Sequence, residues 1–177
     1  MRILIAVLIL ISVTHCTSER VKPSVDASIK VAELPSQESW NSVITFSDSG
    51  KIKAIMNAGH LRVFDESKET LLDENIKIDF YDENEIKTTT LTSIRGRVDD
   101  RTNNLWAIDS VLAVSDSVTL ITDELMWRNE DKKIVSDRFV RIITPKEKIE
   151  GYGFESDQAL RNYVIYRITF VTSNEEQ

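Results

Sequence analysis

Apolar and polar residues alternate along much of this chain with the two-residue period that sends successive side chains to opposite faces of a strand. Ile76, Ile78 and Phe80 alternate with Lys77, Asp79 and Tyr81; Val118 and Leu120 alternate with Thr119 and Ile121; Val140 and Ile142 alternate with Arg141 and Ile143. The pattern also repeats. Leu91, Ser93, Val98, Leu105, Ala107, Val111 and Ala113 map onto Leu120, Thr122, Trp127, Ile134, Ser136, Val140 and Ile142 at an offset of 29 residues. A third copy opens with Ile149, Gly151 and Phe154, in the register of Leu120, Thr122 and Leu125. Each copy is a pair of strands around a polar insert (residues 99–104, then 128–133). Such repeats stack one supersecondary unit on the next around a continuous apolar interior. The last strand, residues 163–172, is apolar on both faces apart from Arg167. Polar connections fall at 47–50, 65–70, 81–85 and 144–148; none holds an Asn-Gly or Asp-Gly pair, which predicts loops longer than the tightest hairpin turns. Only residues 155–162 have the character of a helical turn or two. The pattern predicts an all-β chain, an elongated, folded antiparallel sheet of about a dozen short strands.

The amino terminus changes where this sheet is expected to work. Arg2 precedes an apolar run from Ile3 to Ile11, and polar sequence begins at Cys16. A spanning helix wants about 20 apolar residues; a shorter run behind one positive charge has the form of a secretory signal. Cys16 is the only cysteine, so it has no intramolecular partner. Residues Val13, Thr14, His15 and Cys16 resemble a lipobox, which makes Cys16 the candidate for lipidation. His15 departs from the usual small residue there. A plain signal peptide cut elsewhere, or an uncut short anchor, are the alternatives. Residues 17–39 mix Thr, Ser, Lys, Glu and Pro with few large apolar groups and read as a flexible tether. Three segments follow: 1–16 signal or anchor, 17–39 tether, 40–177 one β-domain.

The formal net charge of −7 excludes nucleic acid as a partner. Chemistry is sparse. Once a leader is removed, His60 is the remaining histidine, and no cysteine is free for nucleophilic work if Cys16 is lipidated. The pairs Asp82/Glu83, Asp99/Asp100 and Glu130/Asp131 fall in turns without the ligand spacing of a calcium loop. Trp106 and Trp127 lie inside repeat strands, where packing is the simpler role than sugar stacking; Trp40 lies outside them. Neither an enzyme, a cofactor nor a metal site is expected.

The stretch Thr122–Asp123–Glu124–Leu125–Met126–Trp127, followed by Ile134–Val135–Ser136–Asp137, Val140–Arg141–Ile142 and Ile149–Glu150–Gly151–Tyr152–Gly153–Phe154, resembles the repeated signature of the lipopolysaccharide-export bridge proteins. The layout of anchor, tether and one terminal domain is similar to the LptC family. That resemblance implies a twisted, open β-jellyroll whose two faces enclose an apolar trough. It implies a periplasmic protein, held by its amino terminus at the inner membrane, although outer-membrane sorting stays open because Thr17 follows the cysteine. The protein would take lipopolysaccharide from the periplasmic jellyroll of an ABC transporter and pass it to an LptA-like bridge protein. On this reading the lipid-facing set, taken from the repeat register, is Ile76, Ile78, Phe80, Leu91, Val98, Leu105, Val111, Val118, Leu120, Leu125, Trp127, Val140, Ile142 and Phe154. The partner edges would be Val43 and Ile44 at one end and Val164, Tyr166, Ile168 and Phe170 at the other, with Gly153 in the closing turn. A soluble middle member of the same bridge, and an adhesive or structural envelope lipoprotein without lipid cargo, are the alternatives.

Overall fold

In a computed structural model the structure describes residues 34–173. The leader, Cys16 and most of the tether lie outside the described residues. β1 begins at Gln37, so Gln37, Glu38 and Ser39 are strand where the sequence pattern reads tether.

Eleven strands form one antiparallel sheet: β1 (Gln37–Asp48), β2 (Lys51–Phe64), β3 (Glu69–Asp73), β4 (Ile76–Tyr81), β5 (Lys87–Ser93), β6 (Arg95–Asp99), β7 (Asn104–Ser115), β8 (Thr119–Arg128), β9 (Lys133–Ile143), β10 (Glu147–Ser156) and β11 (Tyr163–Ser173). Pairing registers show a simpler plan. β2 pairs β4 through residues 54–57 and β3 through 60–64. β7 likewise pairs β5 through 112–115 and β6 through 104–108. β3 runs into β4, and β5 into β6, each as a single long strand bent in the middle. The eleven strands are therefore nine bent ones in a meander, each beside its chain neighbour. One arm of every long strand belongs to a first layer with β4 and β5; the other arm belongs to a second layer with β3 and β6. The inner faces of the two layers form the core.

The bends line up across the sheet, and the residues there are suited to them. Asn41, Glu74, Asn75, Asp109 and Ser110 all take positive φ, between 50° and 65°. Short polar side chains tolerate this left-handed region better than branched apolar ones. Gly59 also sits on the line, donating its N–H to Glu74 O (3.0 Å), where a Cβ would run into Glu74 itself. Bending frees carbonyls from the ladder, and buried hydroxyls accept that duty. Ser93 Oγ donates to Arg95 O (2.9 Å), Ser136 Oγ to Glu124 O (2.7 Å) and Thr122 Oγ1 to Phe139 O (2.8 Å). Ser93 and Thr122 are the same position in consecutive repeats, so the repeat carries the bend as well as the apolar face.

Two expectations need correction. The β1–β2 connection is a two-residue turn, Ser49 (φ 52°) and Gly50 (φ 79°), and not a longer loop. Both central residues take the positive φ that a tight hairpin needs, and Ser stands where Asn or Asp is the usual signal. The region 155–162 holds no helix: β10 continues to Ser156, and 157–162 is a turn. There Leu160, fully buried at φ 56°, inserts into the core, a conformation no helix offers.

Candidate functional site

The candidate site is the space between the two layers. Of the fourteen residues assigned to the inner face, thirteen are buried and Val98 is half-buried. Leu91, Val111, Leu120, Val140 and Ile142 have no exposed surface at all. Along its middle the interior is thus filled by the two faces meeting, and the trough expected to run end to end is open only locally. Close packing of facing apolar side chains is the stable arrangement of such layers.

The opening lies where tips of both layers face each other. A cavity of about 560 Å³ is bounded by Phe46, Asp48, Lys53, Tyr81 and Asp82 from the first layer and by Asn103, Trp127, Lys132, Asp157 and Gln158 from the second, among others. Below it the layers close on a mainly apolar crevice of only about 10 Å³, a narrow throat between Phe46, Ala54, Ile78 and Phe80 on one side and Val98, Leu105 and Trp127 on the other. Phe80 and Trp127 meet across the layers with ring centroids 6.4 Å apart. Among the described residues a single hydrogen bond joins the layers at this end, from Thr89 Oγ1 to Gln158 O (2.7 Å). That bond holds the turn that carries Leu160.

The rim is charged and ordered. Arg128 bonds Asp131 through two nitrogens (2.8 and 2.6 Å) and reaches Glu155 (3.3 Å), which also pairs with Lys133. The Arg128 guanidinium holds the Asp131 carboxyl down to about 2. Lys133 holds Glu155 below the usual carboxylate range; burial opposes this and Arg128 adds to the lowering. The acidic pairs noted in the sequence serve their turns: Asp82 Oδ1 accepts from the N–H of Asn84 and Ile86, and Asp99 Oδ1 from that of Arg101. Among the described residues no group of three or more His, Cys, Asp or Glu is placed to hold a metal ion. His60 lies in β2, an internal strand; it stacks on Trp40 (5.2 Å) and bonds Glu38 (2.7 Å). Trp106 lies on the outer face under the Arg97 guanidinium (3.9 Å), whereas Trp127 is in the core.

Two strands form the edges of the sheet. β11 is exposed along Val164, Tyr166, Ile168, Phe170 and Val171, on both faces. β1 exposes Val43, while Ile44 turns inward and is half-buried against the core. Gly153 takes φ +73° at a break in the β9–β10 register, with Tyr166 packed over it. Sequence reasoning missed Leu160, Thr89 and Ser156, all buried near the mouth. Ser156 carried a usable signal, since it occupies the register of Val98 and Trp127.

Comparison with known proteins gives one family. The model described as lipopolysaccharide-assembly, LptC-related, matches residues 3–168. No curated protein matches the chain. Among the described residues no helix is long and apolar enough to cross a membrane.

Proposed function

The chain belongs to the LptC-related family of lipopolysaccharide-assembly proteins, and on that premise we propose that it receives lipopolysaccharide from an inner-membrane ABC transporter and hands it to the next bridge protein. Membership makes it a periplasmic component of the lipopolysaccharide-transport bridge. The finer reading concerns how cargo is held. Acyl chains lie between the layers against the inner face, while sugars and phosphates stay in water outside the mouth. Each methylene taken out of water is worth about 0.8 kcal/mol, so several chains travelling together need a continuous apolar surface.

The observation that carries this reading is that one buried, mainly apolar face extends through both layers, crossed at the bend by the hydroxyls of Ser93, Thr122 and Ser136, and approaches solvent at the mouth. Opening is inexpensive in hydrogen bonds. At the mouth, spreading the arms exchanges apolar contacts for apolar contacts with lipid and breaks the Thr89–Gln158 bond, while the bonds that cross the bend, such as Ser93 to Arg95, lie at the hinge. β1 and β11 are the docking edges, β1 toward the transporter and β11 toward the next bridge protein, by strand addition. Cys16 is the lipid attachment point that keeps the protein at the inner membrane. Catalysis has no part in this role.

Photoreactive residues placed in living cells at Leu120, Ile142 and Phe154, against controls at the outward Arg141 and Tyr152, test the reading. Lipopolysaccharide adducts should form from the inward positions and be at least tenfold weaker from the outward ones. Equal labelling of the two faces, or none from the inward face, would overturn it.

A further inference from the structure

We propose that Trp127 and Ser156 form a polar neck in the mouth that hydrogen-bonds the carbonyl linkages joining the cargo's acyl chains to its head group. The inference rests on the function proposed above and adds a recognition site to it. In the second layer Trp127 pairs with Ile134 across to β9, and Ile134 pairs with Ser156 across to β10. The three side chains form one row on the inner face. Trp127 is 8% exposed and Ser156 2%, yet Trp127 Nε1 and Ser156 Oγ have no hydrogen-bond partner.

The other buried hydroxyls behave differently. Ser93, Thr122, Ser136 and Thr89 each donate to a backbone carbonyl. A buried polar group left unsatisfied is destabilising and is seldom kept without a use. The fold does not require polarity in this row. Val98, Trp127 and Ser156 occupy one register in three successive repeats, and the first copy fills it with an apolar side chain. A phenylalanine would supply the packing of Trp127 against Phe80 without an idle N–H.

The location fits the border between hydrocarbon and head group. Trp127 borders both the 560 Å³ cavity and the apolar throat below it; Ser156 lies behind that lining, next in the chain to Asp157, which borders the cavity. Once the layers spread and chains enter the throat, an ester or amide oxygen lies level with the row. The indole N–H donates to one carbonyl and the Ser156 hydroxyl to a second, two strand spacings or about 10 Å away. Charge selects the neutral linkage over phosphate here. The cavity carries Asp48, Asp82, Glu83, Asp131 and Asp157 against Lys53, Lys132 and the Arg128 that pairs with Asp131. An acidic collar repels phosphate and leaves a carbonyl unaffected.

The test uses calorimetric titration of the full chain with two probes of equal chain length. Monolaurin carries an ester carbonyl; 1-O-dodecylglycerol has an ether in its place. The unaltered protein should bind the ester up to about tenfold more tightly, as expected for one added hydrogen bond. Trp127→Phe and Ser156→Ala should each reduce that preference and the double variant should abolish it, with thermal midpoints no lower than that of the unaltered protein. A preference that persists in both variants, or equal binding of the two probes by the unaltered protein, overturns the neck and leaves the transport reading standing. Binding of neither probe overturns both, because the interior then takes no hydrocarbon.

Discussion

A single glycine shows how the bends depend on backbone chemistry. Gly153 takes φ +73° where β10 turns from one layer into the other, and a Cβ there would meet Tyr166 Cδ2 at 3.1 Å. An L side chain in this left-handed region is destabilising by roughly 1–2 kcal/mol. Gly153→Ala should therefore lower the unfolding free energy by that amount, read as a lower urea midpoint with an unchanged slope, whereas Gly50→Ala, strained but in open space, should cost less. At this scale the sequence was informative about faces and silent about bends. The fourteen inner-face residues could be named because a one-residue slip would have sent every one of them to solvent. Asp109 and Ser110, or Glu74 and Asn75, read only as polar interruptions, because a kink and a loop use the same residue types. Leu160 was hidden for a related reason: a lone apolar residue in a polar turn carries no period, and its burial is decided by a neighbour far along the chain, Thr89.

Between elements, the turn of β8 into β9 is joined to β10 by charge. Arg128 bonds Asp131 within the turn and Glu155 on β10, and Lys133 pairs with Glu155 from the start of β9. Asp131, held at about 2 by Arg128, and Glu155, lowered by Lys133, keep their charge in the folded state to a lower pH than in the unfolded chain. Carboxyls depressed in this way stabilise the fold above their unfolded pKa values, near 4, and lose that contribution as pH falls through the folded ones. Chemical denaturation followed from pH 5 down to pH 2 should show stability falling across that window. Asp131→Asn should flatten the profile between about pH 4 and 2, and 0.5 M salt should weaken the effect because these groups lie at the surface. A profile unchanged in Asp131→Asn would remove the pair from the account. The charge pairing of adjacent elements was not legible in the sequence, since strand order and twist decide which turn charges meet. The mouth was hidden for the same reason: Phe46, Phe80, Trp127 and Asp157 come from separate hairpins.

Among the described residues, the meander of nine bent strands leaves two unpaired edges, and they differ in how they are protected. β1 carries Glu38 and Asp48 and a left-handed kink at Asn41, devices that discourage indiscriminate pairing. β11 has Arg167 as its charged residue and is apolar on both faces, with Val164 55% and Tyr166 69% exposed. A long apolar edge of this kind is an aggregation hazard unless a partner strand covers it. The two edges therefore make separable predictions about partners in the bridge. Val164→Lys combined with Tyr166→Lys alters side chains that are largely in water, Tyr166 resting one face over Gly153, so stability should shift by no more than about 1 kcal/mol in total. Crosslinking to the next bridge protein in intact cells should nevertheless fall at least tenfold, while co-purification with the transporter is retained. Val43→Lys on β1 should give the reverse, with transporter association reduced and bridge crosslinking kept. Loss of both associations in either variant would mean the edges do not divide the two partners, and retention of both in each variant would mean that docking uses another surface.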